Sequence, residues 1–90
     1  MIRVFLVDDQ TLVRQGIRSL LALAEGIEVV AEAADGRQAL EAIPQVRPDV
    51  VLMDMRMPVM SGLEALQALG RAGVLPPTII LTTFDDDQLV

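Results

Sequence analysis

Short apolar runs alternate with amphipathic stretches along the whole chain. The run 2–7 is rich in β-branched residues and stops at two aspartates, which predicts a first strand. Residues 27–33 begin with alternating charged and apolar side chains, as expected for a strand at a sheet edge. Residues 50–53 are apolar on both faces, which favours a central parallel strand, and 78–82 predict a fourth strand.

Helical spacing of apolar residues predicts three helices between these strands. The first carries its apolar face over residues 13–24, and Gly26 is expected to end it. The second begins at Asp35-Gly36 and should end near Pro44, since proline breaks the helical hydrogen-bond ladder. A third helix follows Gly62 and closes at 70–73, and its apolar side is expected to carry Leu63, Leu66 and Leu69.

The β-α-β-α-β-α-β order predicts one α/β domain over residues 1–90. Such an order folds into a parallel sheet with right-handed crossovers and helices on both faces. Ligands of these sheets bind beyond the carboxyl ends of the strands, at the point where the strand order reverses. A functional site is therefore expected at the residues that follow the strands.

Composition narrows the chemistry of that site. The chain has no cysteine, histidine or lysine, and 13 carboxylates against seven arginines give a net charge of −6. Without cysteine, disulfides and thiolate metal sites are impossible. The acidic balance disfavours direct nucleic-acid binding and suits a hard cation or a basic partner surface. We expect no membrane segment and a cytoplasmic location, because no apolar stretch is long enough for a signal peptide or a span.

Three carboxylates are predicted to share one rim of the sheet. Asp8 and Asp9 follow the first strand and Asp54 ends the third, so they converge if these strands are neighbours. Like charges at that spacing call for a cation, and oxygen ligands favour Mg²⁺. A carboxylate beside Mg²⁺ can attack a phosphoryl group. The backbone carbonyl of Arg56 could complete the metal shell, and the hydroxyl of Thr82 could donate to a phosphoryl oxygen.

Each of these residues also has a simpler interpretation. Asp8 and Asp9 could cap the first helix, Asp54 could be a turn residue, and Thr82 could be an ordinary strand residue. The acidic run 85–87 is best explained as the charged first turn of a fourth helix that barely begins. The combined pattern is much less expected by chance than any one of its parts.

The motifs 4–9, 50–58 with Ser61-Gly62, and 79–83 together resemble the receiver domain of two-component response regulators. The segments 9–21 and 81–85 are most similar to the NarL/FixJ branch. The resemblance implies a flavodoxin-like fold, phosphorylation by a sensor histidine kinase, Mg²⁺ as cofactor and no enzymatic turnover. It implies these roles: phosphoacceptor for Asp54, direct metal ligand for Asp9, water-mediated ligand for Asp8, carbonyl ligand for Arg56 and switch hydroxyl for Thr82.

The chain departs from the family pattern at its C-terminal end. Members continue through a fourth helix, a fifth strand carrying a lysine, and a fifth helix, and this branch adds a helix-turn-helix domain that binds DNA. We therefore expect an incomplete receiver, truncated at the start of the fourth helix, whose fourth strand is an exposed edge. Self-association into a homodimer, with or without exchanged elements, is a further expectation.

Two functions follow as hypotheses. The first is a phosphoacceptor module that controls a transcriptional output domain outside this chain. The second is a receiver fold that cannot be phosphorylated and serves only for binding or dimerisation. An aspartyl-phosphate phosphatase is disfavoured because Arg56 stands where those enzymes carry a second aspartate, and no nucleotide-binding glycine loop occurs.

Overall fold

The computed structural model describes residues 1–55 and 60–81, which form a parallel sheet with helices on both faces. The strands lie in the order β2-β1-β3-β4, the first four positions of the flavodoxin-like arrangement. This confirms the predicted fold class, the edge position of β2 and the interior position of β3. The elements are β1 (Ile2–Val7), α1 (Thr11–Ala22), β2 (Ile27–Ala33), α2 (Gly36–Val46), β3 (Val50–Asp54), α3 (Gly62–Arg71) and β4 (Thr78–Leu81).

The largest cluster of buried side chains lies on one face of the sheet, under α2 and α3, whereas Val4 and Leu6 are buried on the other face. Alternate residues of each strand point to the face under α2 and α3, because side chains in a strand alternate between faces. The buried members of the cluster are aliphatic apart from one phenylalanine: Phe5, Val7, Ala33, Ala39, Ile43, Val51, Met53, Ala65 and Leu69. Helix α1 packs against β2 on the other face, and none of its side chains is fully buried.

Two helix ends differ from the predictions. Helix α1 ends at Ala22, and Gly26 instead occupies a left-handed turn (φ 83°) just before β2. Helix α2 continues past Pro44 to Val46. The guanidinium of Arg3 donates to the carbonyls of Val46 (2.9 Å) and Arg47 (2.8 Å) and so satisfies two acceptors at the end of this helix.

The buried face of α3 is also shifted from the prediction. Ala65 and Leu69 are fully buried and Leu66 packs against the core, but the side chain of Leu63 is 49% exposed. Gly62 lies on the buried face of the helix, where a Cβ would overlap the carbonyl oxygen of Asp54. The inward face therefore starts at the glycine and not at the leucine that follows it.

Strand β4 is confirmed over Thr78–Leu81, and among the described residues it pairs only with β3. Ile79 and Ile80 remain exposed there. Thr82 and the predicted start of a fourth helix at 85–90 lie outside the described residues. No helix in the described part of the chain has the length and apolarity needed to cross a bilayer.

Candidate metal centre

Strands β1 and β3 are direct neighbours, and this brings three aspartates together at their carboxyl ends. Val7 is paired with Met53, so the next residues, Asp8 just after β1 and Asp54 at the end of β3, lie side by side. One carboxylate oxygen from each of Asp8, Asp9 and Asp54 lies within 4.8 Å of the other two. The cluster occupies the point where the strand order reverses, which is the usual ligand position in this type of sheet.

Burial and mutual repulsion make this cluster electrostatically unfavourable by itself. Asp8 is 2% exposed and Asp54 5% exposed, whereas Asp9 lies at the surface. Burial raises the pKa of the Asp8 carboxyl, and the charges of Asp54 and Asp9 raise it further. The backbone N–H of Gln10, which donates to Asp8 Oδ1 at 2.8 Å, opposes this increase in pKa, as does the charge of Arg14.

The donor set fits a hard divalent cation. All three side chains offer oxygen, which Mg²⁺ prefers, and the described part of the cluster contains no nitrogen or sulfur ligand. Two of the three carboxylates, those of Asp8 and Asp54, are buried, and Asp9 is exposed to solvent. A bound cation would also remove the repulsion that raises the pKa of Asp8.

Two glycines fix the ends of the loop that follows Asp54. The N–H of Gly62 donates to the carbonyl of Met55 (3.2 Å), and a Cβ at this position would overlap the carbonyl oxygen of Asp54. The N–H of Gly36, at the start of α2, donates to the carbonyl of Met60 (3.0 Å), and a Cβ at this position would overlap that carbonyl oxygen. Close backbone approach therefore holds Met55 to the start of α3 and Met60 to the start of α2.

The sequence-based prediction of the site did not use the start of α3, although the sequence contains a capping motif there. Ser61 and Glu64 form a reciprocal capping box, in which Ser61 Oγ accepts from the N–H of Glu64 at 3.2 Å. The spacing of a serine and a glutamate three residues apart predicts this motif directly. By contrast, the tertiary contacts of Gly36 and Gly62 have no local sequence signal.

Two predicted site residues fall outside the described part of the chain. Arg56 lies in the segment 56–59 and Thr82 in the segment 82–90. The structure therefore brings together Asp8, Asp9 and Asp54 from the predicted set. The roles assigned to all five residues remain predictions.

Comparisons with known proteins agree with the fold. The family model of the response regulator receiver domain matches residues 4–90. The chain is 49% identical over 83 residues to the nitrate/nitrite response regulator protein NarP of Escherichia coli, covering 92% of this chain and 39% of NarP. It is 42% identical over 90 residues to the transcriptional regulatory protein LiaR of Bacillus subtilis, covering all of this chain and 43% of LiaR.

A solved structure gives the same result. The signal receiver domain of the response regulator NarL from Mycobacterium tuberculosis superposes with a TM-score of 0.86 at 36% identity, covering 99% of this chain and 72% of that one. The chain spans about two fifths of the length of the curated relatives that it matches. The predicted relationship to the NarL branch is confirmed, and the chain belongs to the response regulator receiver domain family.

Proposed function

We propose that this chain is the phosphoacceptor module of a two-component response regulator and that Asp54 is the residue phosphorylated. One observation carries the proposal. Carboxylate oxygens of Asp8, Asp9 and Asp54 lie within 4.8 Å of one another at the point where the strand order reverses. Asp54 is buried at the end of a central strand, whereas Asp9 is exposed, so the cluster is both anchored and accessible.

In this proposal, a carboxylate oxygen of Asp54 attacks the phosphorus atom of a phosphohistidine on a sensor histidine kinase. A new O–P bond forms, the P–N bond breaks, and its electron pair returns to the imidazole of the kinase. Asp8 and Asp9 hold Mg²⁺, which when bound offsets the negative charge of the carboxylates and of the phosphoryl oxygens. The chain is modified in this transfer and does not turn over as an enzyme.

The resemblance to the family supplies the remaining roles. We propose the backbone carbonyl of Arg56 as a further metal ligand and the hydroxyl of Thr82 as a donor to the phosphoryl group. In the whole protein, phosphorylation would control transcription through a separate DNA-binding domain, and the site of action would be the cytoplasm. The similarity to NarP, a nitrate/nitrite response regulator, and to LiaR, a transcriptional regulatory protein, supports this output.

The test uses beryllofluoride, a mimic of the phosphoryl group, together with Mg²⁺. Amide chemical shifts around Asp8 and Asp54 should change in the wild-type chain and stay unchanged in Asp54→Asn. Acetyl phosphate should add the mass of one phosphoryl group to the wild type and none to that variant. Asp49→Asn is the matched control, because Asp49 is an exposed aspartate just before β3, at the end opposite to Asp54, and asparagine keeps an oxygen that can accept from the N–H of Arg3. Modification of Asp54→Asn would refute the assignment.

A second candidate function is binding or dimerisation without phosphorylation. The exposure of Ile79 and Ile80 on β4, which among the described residues pairs with β3 alone, favours it. Light scattering over a range of concentrations would measure self-association directly. Dimerisation without any response to beryllofluoride or acetyl phosphate would favour this function over the first.

A further inference from the structure

The guanidinium of Arg14 contacts three places beside the aspartate cluster of Asp8, Asp9 and Asp54. They are the turn after β1, the start of α1 and strand β2. Its Nη1 donates to the backbone carbonyl of Asp8 at 2.6 Å, and its Nη2 lies 3.5 Å from Thr11 Oγ1. Its Nε lies 3.4 Å from Glu32 Oε1 on β2. The side chain is 17% exposed, so these contacts are largely sheltered from water.

Glu32 holds this guanidinium in place and is itself held by a second arginine. Arg18 Nη1 donates to Glu32 Oε2 at 2.8 Å, so each carboxylate oxygen of Glu32 faces a different arginine. Arg18 is 55% exposed and has no described contact with Asp8. The order of the contacts is therefore Arg18 to Glu32 to Arg14 to the backbone of Asp8.

The hydrogen bond from Arg14 is one of three that hold Asp8 in place. The N–H of Asp8 donates to the carbonyl of Ala33 (3.1 Å), and its carboxylate accepts from the N–H of Gln10. With the Arg14 bond, the amide, the carbonyl and the carboxylate of this residue are all bound. The direction in which Asp8 and the next residue project from β1 is therefore set by its neighbours and not by the strand alone.

We propose that Arg14 is a positioning residue for the aspartate cluster. Its planar guanidinium clamps the turn between β1 and α1, so that the carboxylates of Asp8 and Asp9 stay within reach of Asp54. Arginine suits this role because its rigid fork donates in several fixed directions at once, which the single ammonium of lysine cannot reproduce. The inference rests on the proposed function only for the identity of the ion that the cluster binds.

The direction of the effect on Mg²⁺ affinity separates positioning from charge. If Arg14 acted only through its positive charge, its removal would strengthen the binding of a cation. If it positions the ligands, Arg14→Gln should weaken Mg²⁺ binding by about tenfold or more, the usual range for an outer residue that orients metal ligands. Arg14→Lys keeps the charge and loses the fork, so it should also bind Mg²⁺ more weakly than the wild type.

The experiment is a Mg²⁺ titration of the chain followed by amide chemical shifts. Arg18→Gln should lose less affinity than Arg14→Gln, because Arg18 acts only through Glu32. Arg37→Gln, in an exposed pair with Glu41, gives the baseline for the loss of one positive charge. Unchanged or tighter binding in Arg14→Lys would overturn the inference, as would an equal loss in Arg18→Gln. Arg14→Lys decides the question even if Arg14→Gln fails to fold.

A second readout needs no metal. The amide of Gln10 donates to Asp8 Oδ1, so its hydrogen exchange should accelerate in Arg14→Lys when the turn loosens. Unchanged exchange at Gln10 would count against the inference whatever the metal data show. Failure of the wild-type chain to bind Mg²⁺ would instead count against the proposed function.

Discussion

Replacement of Asp8 by asparagine should stabilise the metal-free domain and abolish its response to magnesium. Asparagine keeps the shape of the side chain and the oxygen that accepts from the N–H of Gln10. It removes the negative charge that burial, Asp54 and Asp9 make unfavourable. The substitution therefore separates the charge of this residue from its packing.

The expected gain follows from the spacing of the cluster. Unit charges 4.8 Å apart, the largest separation within the cluster, repel by about 3.5 kcal/mol at an effective dielectric constant of about 20, and by about 0.9 kcal/mol in bulk water. The N–H of Gln10 and the charge of Arg14 offset part of this repulsion. We expect the free energy of unfolding to rise by about 1–2 kcal/mol, a large share of the roughly 5–15 kcal/mol typical of a domain.

The pH dependence of this gain has a defined sign. The pKa of Asp8 in the folded state lies above its ordinary value of 3.8, so the native state binds this proton more tightly than the unfolded state does. Ionisation of Asp8 therefore lowers the stability of the wild type as the pH rises from 3.8 through the raised value. The advantage of Asp8→Asn should be complete at neutral pH and should shrink as the pH falls through that window.

Urea denaturation followed by circular dichroism provides the assay, once with a chelator and once with Mg²⁺. At a Mg²⁺ concentration about a hundred times its Kd, the wild type should gain about 2.7 kcal/mol, and Asp8→Asn should gain none. Glu25→Gln controls for the loss of one charge at an exposed position of this acidic chain. A variant that is less stable than the wild type in chelator, or that keeps its Mg²⁺ response, would refute the reasoning.

Two further predictions concern backbone geometry and can be measured by the same denaturation assay. Gly62→Ala should cost about 1–3 kcal/mol and slow modification by acetyl phosphate, because the new Cβ would push against the carbonyl of Asp54. Gly16→Ala, at an open helical position, should instead stabilise by about 0.5–1 kcal/mol, so a similar loss in both variants would contradict the contact at Gly62. Arg47→Gly should stabilise by about 1 kcal/mol, because Arg47 ends α2 in the left-handed region (φ 52°), whereas Arg47→Ala should give no such gain.

Local patterns in the sequence were sufficient to predict the architecture of this chain. Alternating apolar runs and helical periods predicted the order of strands and helices, and the charged alternation at 27–33 predicted the edge strand. These features depend on neighbours in the sequence, so they can be recognised without a structure. The positions of Asp8, Asp9 and Asp54 at the ends of predicted strands likewise indicated that these residues lie at one edge of the sheet.

The predicted end of α2 and the predicted buried face of α3 were wrong because both predictions used only the local sequence. Pro44 predicted the end of α2, but the guanidinium of Arg3 holds the last carbonyls of that helix from another element. Leu63 was expected on the apolar side of α3, but the buried face of that helix carries Gly62, Ala65 and Leu69, and Leu63 is exposed. The spacing of apolar residues in the sequence does not show the hydrogen bonds of Arg3 or the buried face of α3.

What the sequence by itself determined was the kind of residue available at each strand end, together with the order of the elements. Only the tertiary structure decided that β1 and β3 are neighbours, that the three carboxylates lie within 4.8 Å, and that Arg14 binds the carbonyl of Asp8. The physical reason is range: periodicity reports on residues within a few positions of each other. The electrostatics of the cluster depend instead on distances and burial between segments that are far apart in the chain.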